Sequence, residues 1–104
     1  MNIQLNTDKH ISGNESLEKI VSDKLKGTLK HLVNHITRIE VHLSDQNADK
    51  SGPDDIQCKI EARLENRQPV MVSSQSDSKE VAISEAADKL KSMLGSIIGK
   101  MQDR

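Results

Sequence analysis

Ile3 and Leu5 alternate with Asn2, Gln4 and Asn6, which predicts a short first strand. A turn at Ser12-Gly13-Asn14 follows, with Asn14 or Ser16 placed to cap a helix. Leu17, Ile20, Val21, Leu25, Thr28, Leu29 and Leu32 then recur at helical spacing, so the first helix is expected to run to about Val33. Gly27 weakens it locally. Ile39, Val41 and Leu43 alternate with Arg38, Glu40 and His42, giving a half-buried second strand.

Residues 45 to 54, DQNADKSGPD, read as a loop. Ile56, Cys58, Ile60, Ala62 and Leu64 form the clearest alternation in the chain. Glu65-Asn66-Arg67-Gln68 reads as a hairpin turn, and Val70 and Val72 carry a short fourth strand with Pro69 at its first position. From about Ser76 a second helix places Ile83, Ala86, Ala87, Leu90, Leu94, Ile97, Ile98 and Met101 on one face, with Ser76 or Asp77 as its cap. The order is β-α-β-β-β-α. Each strand has one dry side and each helix one apolar stripe, so both helices are expected on one face of a four-stranded sheet. The crossover through the first helix makes the first two strands parallel, and the remaining strands form an antiparallel meander. The fold class is α+β, a two-layer sandwich, in a single domain over residues 1–104.

Composition narrows the function. Hydrophobic residues make up 34% of the chain and charged residues 30%, with no Phe, Trp or Tyr. The core is therefore aliphatic. A module that stacks unpaired bases on aromatic rings is excluded; any RNA contact must grip phosphates and folded shape with Lys, Arg and helix ends. The net charge of −1 excludes a generic basic nucleic-acid coat and leaves only a local patch. Cys58 is the sole cysteine, so no internal disulfide is expected. No run approaches the roughly 20 apolar residues of a membrane span, and the first residues lack a charged-then-apolar leader. A cytoplasmic protein with no membrane association is the expectation.

No enzyme motif appears: there is no Gly-rich phosphate loop, GxSxG or HExxH. His31 and His35, four apart, have zinc-ligand spacing on a helix, but a site needs further ligands, and a pair of surface histidines near a helix end is the plainer reading. Cys58 reads as a small buried hydrophobe, and the Asp45, Asp49, Asp54 and Asp55 carboxylates do not follow calcium-loop spacing. Neither catalysis nor a cofactor is expected. The lysines say more. Lys19, Lys26 and Lys30 share the first helix's face opposite its apolar stripe, with Lys24 on the flank. On the second helix, Lys89 and Lys100 share a side with Ser92 and Ser96. Residues 44 to 55 hold four Asp against Lys50, so the near-neutral total hides a polarised charge. Lysine-bearing helix faces also serve solubility alone.

The helix SLEKIVSDKLKGTLKHL, the strands ITRIEVHLSD and IQCKIEARL, and the helix AISEAADKLKSML, in this order, resemble the ribosome hibernation-promoting factor family. The resemblance covers the chain from about Asn2 to Met101. It implies a fold related to double-stranded-RNA-binding domains. It further implies a translation inhibitor that occupies the messenger- and transfer-RNA channel of the small ribosomal subunit under stress or in stationary phase. Partners are then small-subunit rRNA and ribosomal proteins beside it, and the free protein is a monomer of the short form, without the C-terminal pairing domain of longer members. Lys24 matches a basic position of the family's first helix, and Lys89 the Lys-Leu of its second. Ser92 and Ser96 stand where typical members carry further Arg and Lys, and Glu80-Val81 where an aromatic is usual. The expected rRNA-binding residues are Lys24, Lys26, Lys30, Lys89, Lys91 and Lys100. The competing reading is a protein-interaction module on the same fold.

Overall fold

The alternating stretches form one sheet. The computed structural model describes residues 1–47 and 55–102. Strands β1 (Asn2–Thr7), β2 (Ile36–Asp45), β3 (Ile56–Leu64) and β4 (Val70–Ser76) lie side by side in chain order. β1 runs parallel to β2, while β2, β3 and β4 are mutually antiparallel. Register sets Ile3 beside Ile39, Val41 beside Ile60, Leu43 beside Cys58 and Ile60 beside Val72. The period of two sends all of these to one side. Ile39, Val41, Cys58, Ile60 and Ala62 are fully buried there.

Helices α1 (Glu15–Thr28) and α2 (Lys79–Gln102) cover that dry side. α1 buries Leu17, Val21, Leu25 and, just past its end, Leu29; α2 buries Ile83, Ala86, Ala87, Leu90, Leu94 and Ile98. Fully burying side chains of this size contributes roughly 1.5–3 kcal/mol each, before ordering entropy is set against it. The architecture is the expected two-layer α+β sandwich. Met101, expected on the α2 stripe, and loop residues 48–54 lie outside the side chains described.

The structure corrects several boundaries. α1 is capped by Asn14, whose Oδ1 accepts the Leu17 amide at 2.9 Å. It stops at Thr28, not Val33. The Leu29 amide closes the last turn on Leu25, then Leu32 bonds back to Leu29 and His35 to Leu32, tightening the chain into a short 3₁₀ turn (Val33–His35). Leu29 and Leu32 therefore keep packing on the core although the helix has ended. Ile20, at the margin of the predicted stripe, is 42% exposed. β2 begins earlier than expected because of a bulge between Ile36 and Arg38. Strict alternation would turn Ile36 to the wet side with Arg38; the extra residue turns it inward, to 4% exposure. β4 continues to Ser76, with Pro69 just ahead of it. Ser76 thus belongs to the sheet, and the α2 cap is Ser78, whose Oγ accepts the Val81 amide at 3.4 Å.

Candidate nucleic-acid interface

Connectivity fixes the direction of each element. β1, β2 and β4 run one way; α1 and α2 each return from a strand end and run the other. The two helices are therefore parallel to each other and in contact. Their flanks can be told apart. A groove joins Glu18, Val21 and Ser22 of α1 to Asn2–Leu5 of β1, so that flank of α1 faces the β1 edge. At about 100° per residue, Lys24 lies on the opposite flank, toward α2. Likewise Ser92, Met93, Ser96 and Lys89 of α2 share a groove with Met71–Ser73 of β4. Lys91 is on the other flank of α2, toward α1.

All six expected lysines are exposed. They do not form one patch. Lys24 and Lys91 flank the seam between the helices, while Lys26 and Lys30 lie at and just past the C-terminal end of α1. Lys89 and Lys100 stand on the β4 side, where the Lys89 ammonium donates to the Ser73 carbonyl at 2.8 Å. Among the described residues the other five form no ion pair or hydrogen bond, in contrast to Lys19, paired with Asp23 at 3.1 Å. Five lysine charges are thus held in water with no counter-charge to give up.

The same connectivity sorts charge by end. Both helices start at the end holding the β1–α1, β2–β3 and β4–α2 junctions, where Asp8, Asp45, Asp55, Asp77, Glu15 and Glu80 outnumber Lys9 and Lys79 among the described residues. Carboxylates there complement the positive ends of two parallel helix dipoles. Burial pushes the Asp8 carboxyl up, but the Asp45 and His10 amides, each donating at 3.0 Å, outweigh it and hold Asp8 below its ordinary value. Glu80 is also lowered, by its own backbone amide and the Ser78 hydroxyl. The opposite end holds the α1 terminus, the β3–β4 hairpin and the last turns of α2, with Lys26, Lys30, Arg67 and Lys100 against Glu65. The sequence places Arg67 in a hairpin turn and nothing more; the strand topology brings it to the end where the helices finish.

Other candidates resolve plainly. His31 and His35 follow the end of α1, so they share no helix face, and among the described residues no three His, Cys, Asp or Glu are grouped to hold a metal. Cys58 is fully buried, and burial pushes its thiol up to about 12, far from a reactive thiolate. On the wet sheet face, Arg38 pairs with Glu40 at 3.0 Å and Arg63 with Glu61 at 3.3 Å, leaving Lys59 as its exposed cation without a pair among the described residues. No described helix is long and apolar enough to cross a membrane.

Comparison with solved structures shows the fold in other proteins. A ribosomal subunit interface protein from Coxiella burnetii superposes with a TM-score of 0.79 at 14% identity, over 95% of this chain and 99% of that one. The N-terminal domain of Protein Y from Thermus thermophilus superposes with a TM-score of 0.73 at 20% identity, over 93% and 99%. No curated protein sequence matches the chain. The model of the family described as sigma 54 modulation protein / S30EA ribosomal protein matches residues 5–102. With that match running from β1 to the last turn of α2, the chain belongs to the sigma 54 modulation protein / S30EA ribosomal protein family.

Proposed function

We propose that this protein is a non-catalytic, cytoplasmic, ribosome-associated factor that binds rRNA of the small subunit in the channel for messenger and transfer RNA, and so restrains translation under stress or in stationary phase. The observation that carries this reading is the set of exposed helix-layer lysines without acidic partners among the described residues, on a fold whose family matches nearly the whole chain. Lys24, Lys26, Lys30, Lys91 and Lys100 offer free ammonium groups; Lys89 offers one already lent to Ser73. Without Phe, Trp or Tyr, the protein recognises phosphate positions and RNA shape. The test is co-sedimentation with small subunits from stationary-phase cells. Recovery in the subunit fraction, weakened by Lys24→Glu and untouched by Lys59→Glu, supports the reading; absence from that fraction at low salt overturns it.

One observation favours the second reading, a protein-interaction module. The groove between the free edge of β4 and α2 is apolar, with Met71 55% and Met93 42% exposed. Binding abolished by Met93→Glu in this groove, with Lys24→Glu silent, would place recognition between β4 and α2 and support this module instead.

A further inference from the structure

The basic end of the molecule contains a structure that the helix lysines do not explain. Asn34 and His35 after α1, Leu64, Glu65 and Asn66 of the β3–β4 hairpin and Ile98 of α2 enclose one recess of about 200 Å³. Three chain segments distant in sequence are thereby fixed against each other. The recess is lined by one carboxylate, Glu65, and no lysine or arginine, but each segment carries a cation at this end of the molecule: Lys30 four residues before Asn34, Arg67 next to Asn66, and Lys100 two residues after Ile98, on the β4 side of α2. All three are exposed, and none has an ion pair among the described residues. Among the described residues, the other arginines of this end, Arg38 and Arg63, are committed to Glu40 and Glu61.

The hairpin holds Arg67 in place. The Arg67 amide donates to the Leu64 carbonyl at 3.4 Å, closing a turn in which Asn66 takes φ 61°, the left-handed region that asparagine tolerates better than most residues. Arg67 is thus an exposed residue on an ordered turn. Its planar fork can take two phosphate oxygens at once, which an ammonium cannot. Both helix dipoles place their negative ends here, so fixed cations at this end are also favoured electrostatically.

We propose that this tip is a phosphate-binding surface for structured RNA, with Arg67 as its principal contact and Lys30 and Lys100 as flanking charges, so that the protein meets RNA end-on as well as along its helices. The proposal rests on the reading of the chain as an rRNA-binding factor, and it adds the β3–β4 hairpin to that surface. The tip carries three cations without ion pairs among the described residues against the single carboxylate of Glu65, and no Phe, Tyr or Trp, so it favours phosphates of a folded or duplex region over a stacked run of unpaired bases.

The experiment measures binding of the full chain to small ribosomal subunits and, separately, to a short blunt RNA duplex, from about 50 to 200 mM salt, where counterion release is read as a log–log slope. Arg67→Gln, Arg67→Lys and Lys24→Gln are compared with the unmodified chain. Expected is a several-fold loss for Arg67→Gln on both targets, with the slope reduced by about 0.7–0.9. Arg67→Lys should restore the slope and only part of the affinity. Subunit binding unchanged by Arg67→Gln but weakened by Lys24→Gln overturns the tip while leaving the ribosome reading intact. Should the unmodified chain ignore subunits yet bind the duplex in an Arg67-dependent way, the ribosome reading fails and the tip stands as an RNA site. Binding to neither target overturns both.

Discussion

Ser74 of β4 donates its hydroxyl to Glu85 of α2 across 2.7 Å, and Ser74 is the one buried polar residue among those described. Glu85 itself reaches solvent. The pair is therefore asymmetric: removing the acceptor strands a buried hydroxyl, whereas removing the hydroxyl merely returns a carboxylate to water. Glu85→Ala should cost about 1–3 kcal/mol and Ser74→Ala about 0.5–1.5 kcal/mol. Urea unfolding followed by far-UV circular dichroism measures both, since the chain has no aromatic fluorophore. A larger loss for Ser74→Ala would show that the bond is not what anchors α2 on β4.

Cys58 should be chemically silent in the folded protein. With its thiol pushed up to about 12 and no exposure, alkylation at pH 8 should run on the order of a thousandfold slower than in the unfolded chain. Fast labelling without denaturant would mean that the centre of the sheet opens readily.

The Asp8 carboxyl lies below its ordinary value of 3.8 in the folded protein, so the folded state favours the charged form. Its contribution is complete above that ordinary value and disappears as pH falls through the depressed folded one. Asp8→Asn should therefore flatten the acid limb of the stability curve below about pH 4 while leaving its shape near neutrality unchanged. An acid limb identical in both proteins would assign that dependence to other carboxylates.

Lys24 and Lys91 flank the seam between two parallel helices, and the double variant Lys24→Gln/Lys91→Gln should lower the salt slope of subunit binding by about 1.4–1.8, twice the single-phosphate value. The melting temperature should hold, because both side chains are exposed and form no ion pair among the described residues. An unchanged slope would remove the interhelical seam from the RNA contact.

The sheet was readable in the sequence because aliphatic residues at every second position leave a single workable register: Ile39, Val41, Leu43, Ile56, Cys58, Ile60 and Leu64 are buried, while Ile3, Leu5 and Val70 on the two border strands are partly so. The ends of the helices were less readable. Leu29 and Leu32 continue the spacing of Leu25 although the backbone has left the α-helix, so apolar periodicity reports packing and not hydrogen bonding. Ile36 was hidden by a bulge, which alternation alone does not foresee. Exposure of the candidate lysines was also readable. Their division between a seam, a terminus and a sheet edge was not, because it depends on which flank of each helix meets its neighbour. Arg67 belongs to the same class: its surroundings exist only once β3 and β4 fold back against α2.

The bond from Lys89 to Ser73 has a consequence for solubility. Val70–Ser76 carries no charged side chain and no proline, and it forms one border of the sheet. Such a border is a template on which strands of other molecules can accumulate into fibres. The Lys89 ammonium occupies the Ser73 oxygen near the middle of that template. A charge planted there acts as a stopper: an incoming strand would have to displace it and bury it. A phosphate recruited to Lys89 would compete with the stopper for one amine, and any anion that drew Lys89 away would uncover the border it guards.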